Sequence, residues 1–178
     1  MTWAIDTSHT NAAFAVKHLM ISTVRGRFGA VAGTIEFDPA NPTAATVEAT
    51  ADVTSIDTRD EKRDGHLKSP DFFDVENYPT ITLKSKKVDV AGENEFKVTS
   101  DLTIHGITKE VVFDVEFLGT ANGPWGDHRA AFTAKTSVSR KDFGLNWNVA
   151  LETGGVLVGD KVTIELEVEA LKLAPAAA

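Results

Sequence analysis

The sequence predicts an all-β protein, an extended antiparallel barrel of about eight strands with one or two short helices. Three observations lead there. Most of the chain alternates with period two in Val, Thr, Ile and Phe; clusters of Gly, Asn, Asp and Pro punctuate the alternating runs; and one longer segment, Asp60–Tyr78, breaks the pattern.

Alternation begins near Trp3 and is clear over Thr10–Lys17, where Ala12, Phe14 and Val16 share one face. The next strand is predicted over Val24–Asp38, with a phase slip between Phe28 and Ile35/Phe37 that Gly29 and Gly33 suit as a bulge or bend. Pro39–Pro42 turns the chain into a two-faced strand carrying Val47, Ala49, Ala51 and Val53 inward. Ile81 and Leu83 belong to the following strand, and Gly92–Asn94 turns into one bearing Phe96, Val98, Leu102 and Ile104. His105-Gly106 makes a tight turn to Val111, Phe113, Val115 and Phe117, and Gly123–Asp127 forms a loop. Phe132, Ala134, Thr136 and Val138, then Val162, Ile164, Leu166 and Val168, complete the inner faces. Within Asp60–Tyr78 a helix is predicted with Asp60, Arg63 and Asp64 exposed and Leu67 turned inward, followed by a second helical turn around Phe72-Phe73 that Pro79 ends. Leu19–Ile21 is read as a short helix between strands. Residues 1–173 make a single domain and Ala174–Ala178 a flexible tail.

Composition narrows the function classes. Apolar residues at 42% and charged residues at 25% fit a packed globular chain, and the apolar runs fall far short of the roughly 20 residues a membrane helix needs. Acidic residues outnumber basic ones 26 to 18, a net charge of -8 that disfavours nucleic-acid binding. The densest basic stretches, Lys84, Lys86, Lys87 and Arg59, Lys62, Arg63, are interrupted and read as solvated surface rather than as a patch. The absence of cysteine excludes disulfides, thiolate nucleophiles and Cys-ligated metals. The N-terminal residues lack a charged and then apolar leader pattern, so a cytoplasmic location is the expectation.

Reactive constellations are sparse. The histidines at 9, 18, 66, 105 and 128 show no metal-ligand spacing. Asp60, Glu61 and Asp64 share their helix with Arg59, Lys62 and Arg63, as a solvated face does. Asp6, Ser8 and His9 are too local for a catalytic triad, and no nucleophile elbow, phosphate loop or dinucleotide fingerprint occurs. No catalytic residue, metal or cofactor is therefore assigned. The alternation alone leaves open whether a barrel interior is packed or holds a ligand. Small inner residues, among them Ala12, Ala49, Ala51 and Ala134, favour a cavity.

An ordered set of motifs resembles the YceI-like family of bacterial lipid-binding proteins. It comprises Asp6 through His9, Phe14 to Met20, Val24 to Phe28, Arg59-Asp60, His66 to Asp74, Tyr78-Pro79, Leu102 to Thr108, Ser139 to Gly144, Gly155, and Val158 to Asp160. The resemblance implies a lipocalin-like barrel, without catalytic residues, whose lumen holds a polyisoprenoid, an isoprenoid quinone or precursor, or a fatty amide. Many members of that family carry an export signal, from which this chain departs.

Candidate lining residues along the strands are Phe14, Val16, Phe28, Val47, Ala49, Val53, Ile81, Leu83 and Phe96, then Val98, Val111, Phe113, Val115, Phe132, Ala134, Ile164 and Leu166. Met20, Leu67, Phe72, Phe73, Phe143 and Trp147 sit in breaks between strands and suit a cap or gate. A strand of about ten residues rises roughly 33 Å, so a long prenyl tail would be mostly enclosed along the lumen. Each buried methylene is worth about 0.8 kcal/mol. Apolar groups at the rim suit transient membrane contact, and a homodimer is compatible with the same reading. Competing readings are an enzyme or haem-type barrel acting on a hydrophobic ligand, which needs polar or histidine groups inside the lumen, and a ligand-free structural or stress-response protein.

Overall fold

Alternation along the chain becomes alternation across a barrel wall. The computed structural model describes residues 1–174. The first half of the wall consists of β1 (Thr2–Ile5), β2 (Asn11–His18), β3 (Ser22–Phe28), β4 (Val31–Glu36), β5 (Thr46–Asp52) and β6 (Ile56–Asp57). The helix α1 (Glu61–Lys68) follows, and then five long strands: β7 (Thr80–Gly92), β8 (Glu95–Ile104), β9 (Ile107–Asn122), β10 (His128–Ser139) and β11 (Val158–Lys172). The strands pair antiparallel in the order β1-β4-β5-β7-β8-β9-β10-β11, and β11 pairs back to β1. Eight strands thus close the lipocalin-like barrel, which leaves no free sheet edge along that circuit.

The long β11 serves two neighbours. Its last residues, Ala170–Lys172, pair with β1, and Val158–Glu167 pair with β2. The chain divides in the same way on the next strand position, where β1 pairs β4 and β2 pairs β3. The single strand expected over Val24–Asp38 is therefore two strands with different partners. The phase slip marks the break at Gly29-Ala30, whose amides both donate to Ser55 Oγ at 3.1 and 3.2 Å. Gly33 lies so close to β5 that a Cβ there would stand 2.2 Å from the Glu48 carbonyl oxygen.

Among the described residues β6 pairs only with β3, and near one end of the barrel none of their strands bridges β6 and β7. α1 and the turns after it cover this interval, with Leu67, Phe73 and Val75 packed against Phe28, Val53 and Ile56. Asp60 caps α1 by accepting from the Arg63 amide at 3.1 Å. α1 is the one α-helix among the described residues. The second helical turn expected around Phe72-Phe73 is a series of single turns instead, such as Phe72 N–H donating to Ser69 O and Tyr78 N–H to Asp74 O.

The short helix expected over Leu19–Ile21 is a hairpin turn. Ile21 N–H donates to His18 O at 3.1 Å, with Leu19 and Met20 both left-handed, at φ 53 and 64. Turns of this kind favour Asn and Gly, and each apolar residue here carries a conformational cost of about 1 kcal/mol. At the opposite end of the barrel, Trp3, Ile35, Phe37, Ala130, Phe132 and Ala170 form a packed floor, and the Trp3 indole donates to Phe37 O at 3.1 Å. The tail assigned to 174–178 falls, beyond residue 174, outside the described residues.

Candidate functional site: an apolar cavity at the open end

The half of the barrel away from the floor contains a cavity of about 340 Å³. Many of the residues expected to line the lumen meet there. β2 and β3 bring Phe14, Val16 and Phe28; β5 and β7 bring Ala49, Ile81 and Leu83; β9 and β11 bring Phe113, Ile164 and Leu166. Leu67, Phe72 and Phe73 close it from the side of α1, and Phe143 and Trp147 from the segment between β10 and β11. Gly26 makes room for this arrangement: a Cβ there would lie 2.4 Å from Phe14 Cζ, so the ring leans across a bare backbone.

The other expected residues lie elsewhere, for particular reasons. Val47, Val115 and Phe132 pack in or against the floor. The Phe37 ring sits 4.8 Å from that of Phe117, 5.2 Å from Phe132 and 6.3 Å from Phe96, so these rings fill the lumen at the depth where Phe96 points inward. Val98 sits between Val88 and Phe113 of its neighbouring strands. Val111 and Ala134 are buried against Leu102, Phe113 and Phe143. Val53 starts a 3₁₀ turn, Val53–Ser55, and is buried among Phe28, Val31 and Ile56. Met20 is exposed at the β2–β3 turn. The cavity consequently occupies one half of the barrel, not the full strand length that the sequence suggested.

Several lining residues lie outside that candidate set. Val24, Leu102, Ile104, Val138, Leu145 and Leu157 add apolar wall, and Arg63, His66 and Arg140 are polar. Arg63, expected on a solvated helix face, is anchored instead. Its Nε donates to Thr58 Oγ1 at 2.8 Å and its Nη2 to Thr58 O at 2.7 Å, while Asp64 accepts from the same threonine's amide at 2.9 Å. The pair thereby ties α1 to the end of β6.

Arg140 organises the rim. Only 4% exposed, it donates to Leu145 O at 2.6 Å, Trp147 O at 2.8 Å and Gly159 O at 2.9 Å, and its Nη2 lies 3.6 Å from Asp160. Burial lowers the guanidinium pKa and Asp160 opposes that shift. Asn148 adds a two-way clamp on Val158, donating to its carbonyl at 2.8 Å and accepting from its amide at 3.0 Å. These bonds hold Trp147 over the cavity, where it meets His66 at 4.6 Å and Phe72 at 5.3 Å between ring centroids. His66 in turn contacts Asp71 Oδ2 at 2.8 Å through Nε2. The signal for Arg140 was present in the Ser139–Gly144 motif, but nothing in the local pattern shows that this arginine is buried.

A separate polar cluster lies toward the floor. Asp6 accepts from Ser8 Oγ at 2.6 Å and from Arg129 Nη1 at 3.0 Å, and it contacts His9 Nδ1 at 2.9 Å. Ser8 Oγ meets the same ring nitrogen at 3.0 Å, so the imidazole cannot relay a proton between serine and aspartate. Asp6, His9 and Glu169 are close enough to share a cation, but Arg129 already donates to both carboxylates. The hydrogen bonds from Ser8 and His9, joined by Arg129, hold the Asp6 carboxyl far below the usual carboxylate range. A depressed pKa gives stability that is complete above the unfolded value, near pH 4, and is lost as pH falls through the folded one. Asp6→Asn is therefore expected to be less stable than the parent at pH 7, with the gap in urea midpoint narrowing steadily below about pH 4. A gap unchanged down to pH 2 would contradict this assignment.

Together, the closed strand circuit, the aromatic floor and the capped apolar cavity define a lipocalin-like barrel with its internal space at one end. Residues 3–170 match the YceI-like domain, and the chain belongs to that family. A UPF0312 protein of Vibrio cholerae serotype O1 is 41% identical over 145 residues, 80% of this chain and 77% of the relative. A UPF0312 protein of Staphylococcus aureus is 39% identical over 168 residues, 94% and 95% of the two chains. Among solved structures, a Campylobacter jejuni YCEI protein superposes with a TM-score of 0.75 at 33% identity, covering 89% of this chain and 90% of its own. A polyisoprenoid binding domain from Saccharophagus degradans shares the fold with a TM-score of 0.70 at 16% identity, covering 96% and 98%.

Proposed function

We propose that this protein binds one long apolar amphiphile, of the polyisoprenoid or related lipid class, in the half-barrel cavity and carries it without chemical change. The observation that carries the reading is a cavity of about 340 Å³ walled almost wholly by aliphatic and aromatic side chains, with a packed floor and an aromatic rim. At about 0.8 kcal/mol per methylene removed from water, such a space needs little polar chemistry to hold a chain. The polyisoprenoid-binding description of the Saccharophagus degradans domain is consistent with that class of ligand. The Phe37, Phe117 and Phe132 rings set the depth a tail can reach, so the part of a long chain beyond that depth must extend through the rim. An enzyme would need reactive groups converging on the tail; of the polar lining groups, Arg63 and Arg140 are engaged by backbone carbonyls and His66 by Asp71, while His18 stands at the rim beside the β2–β3 turn.

Solvent extraction of the purified protein with mass spectrometry tests this directly. A low-polarity lipid near one equivalent per chain is expected, and loading the emptied protein should shift the emission of Trp147 but not that of a Trp147→Phe variant. If no lipid is extracted and no prenyl or acyl chain is taken up, the carrier reading fails.

A further inference from the structure

The β2–β3 hairpin has an unusual combination of features. Its turn places Leu19, Met20 and Ile21 in solvent, and Ile21 is 81% exposed. Two of these residues occupy left-handed backbone that Asn or Gly would adopt more readily, so folding alone does not account for their identity. The turn also stands at the rim. Leu19 N–H donates to Leu157 O at 2.9 Å, Leu157 and His18 line the cavity, and Val149 on the facing loop is exposed as well.

Charge along this hairpin runs against the rest of the chain, although the neighbouring β11 sets Glu165 opposite Ala13. No Asp or Glu occurs from Thr7 to Ile35 in a chain of net charge -8. Strand pairing sets Lys17 opposite Thr23, Ala15 opposite Arg25 and Ala13 opposite Arg27, which brings the three cations to the outer face of one hairpin. Arg27 pairs with Asp57 at 3.6 Å, whereas Lys17 and Arg25 have no ion pair among the described residues. By strand rise, Lys17 lies about 7 Å and Arg25 about 13 Å from the tip, so with the tip buried about 5–10 Å both long side chains reach the headgroups. Sequence density did not reveal this patch, because the hairpin assembles it from positions 17, 25 and 27.

We propose that the Leu19–Ile21 tip inserts into the surface of an anionic phospholipid bilayer, with Lys17 and Arg25 on the headgroups, and so presents the cavity rim to the membrane. The purpose of this contact rests on the carrier reading; the contact itself does not. Lys17 and Arg25 each gain from a negative surface, and apolar tip residues gain from insertion.

Sedimentation of the full chain with vesicles tests it, using phosphatidylcholine alone and phosphatidylcholine with phosphatidylglycerol. At moderate salt, about tenfold or more protein is expected on the anionic vesicles than on the neutral ones, with release at high salt. The double variant Leu19→Asn, Met20→Gly supplies the residues this turn prefers and keeps the hairpin folded; it is expected to stay in the supernatant. Lys17→Gln with Arg25→Gln should bind both vesicle types alike. Trp125→Ala, at the opposite end, should pellet like the parent. A parent that ignores both vesicle types, or a double variant that pellets undiminished, overturns the proposal. So does a parent dimer that the double variant splits without either form binding vesicles, since the tip would then join two copies of this chain. Vesicle binding in a protein that takes up no prenyl chain would support docking and sink the carrier reading alone.

Discussion

Ala49→Trp is expected to weaken binding of a prenyl or acyl chain by about 100-fold while leaving the barrel folded. Ala49 faces the cavity from β5, between Gly33 and Leu83 of the neighbouring strands. An indole there occupies space the tail would use. If about four methylenes lose their buried contacts at roughly 0.8 kcal/mol each, the loss is near 3 kcal/mol, which corresponds to about two powers of ten in Kd. Overpacking adds a stability cost of about 1–3 kcal/mol, so urea unfolding must be followed in parallel. Ala134→Trp is the informative contrast. Ala134 is buried against Leu102 and Phe113, which themselves line the cavity, so its replacement should chiefly destabilise the barrel, with any loss of affinity smaller than at Ala49. Unchanged uptake by a folded Ala49→Trp protein would place the tail elsewhere.

Arg140→Met should cost about 3 kcal/mol or more in stability, because it strips the partner from the Leu145, Trp147 and Gly159 carbonyls at once. Leaving a buried acceptor such as Leu145 O unpaired costs about 1–3 kcal/mol, the part-buried carbonyls of Trp147 and Gly159 add less, and methionine can refill part of the volume but none of the hydrogen bonds. Arg140→Lys keeps the charge without the planar fork that reaches several carbonyls, so an intermediate loss is expected. The effect should be local as well as global. Hydrogen exchange at residues 145–149 should rise in both variants before the strands open, since Asn148 and the Leu157 N–H bond to Val149 O would then be left to hold this segment. Equal exchange in parent and variant would show that Arg140 does not position the rim.

Much of this molecule was legible in the sequence because strand formation and facing depend on local pattern. Period-two runs identify which side of the wall Phe14, Ala49, Phe113 or Ile164 faces, and the His105-Gly106 turn announces a hairpin. The ordered motifs were sufficient for the family and for the lipocalin-like barrel. Depth along the lumen was not legible, because inward-facing residues look alike whether they meet space or another ring. Phe132 and Phe113 carry the same pattern, yet Phe132 meets Phe37 in the floor and Phe113 lines the cavity. The site's polar framework was hidden for a related reason. Arg63 and Arg140 are ordinary charged residues by local context, and their roles arise from Thr58 and from the carbonyls of Leu145, Trp147 and Gly159, contacts that only folding supplies. Even the basic hairpin, whose cations are eight and two residues apart in the chain, exists as a surface only once β2 and β3 pair. Local sequence thus determined strand, face and family, while the position of the cavity, its floor and its rim were decided by which distant residues fill or satisfy one another in three dimensions.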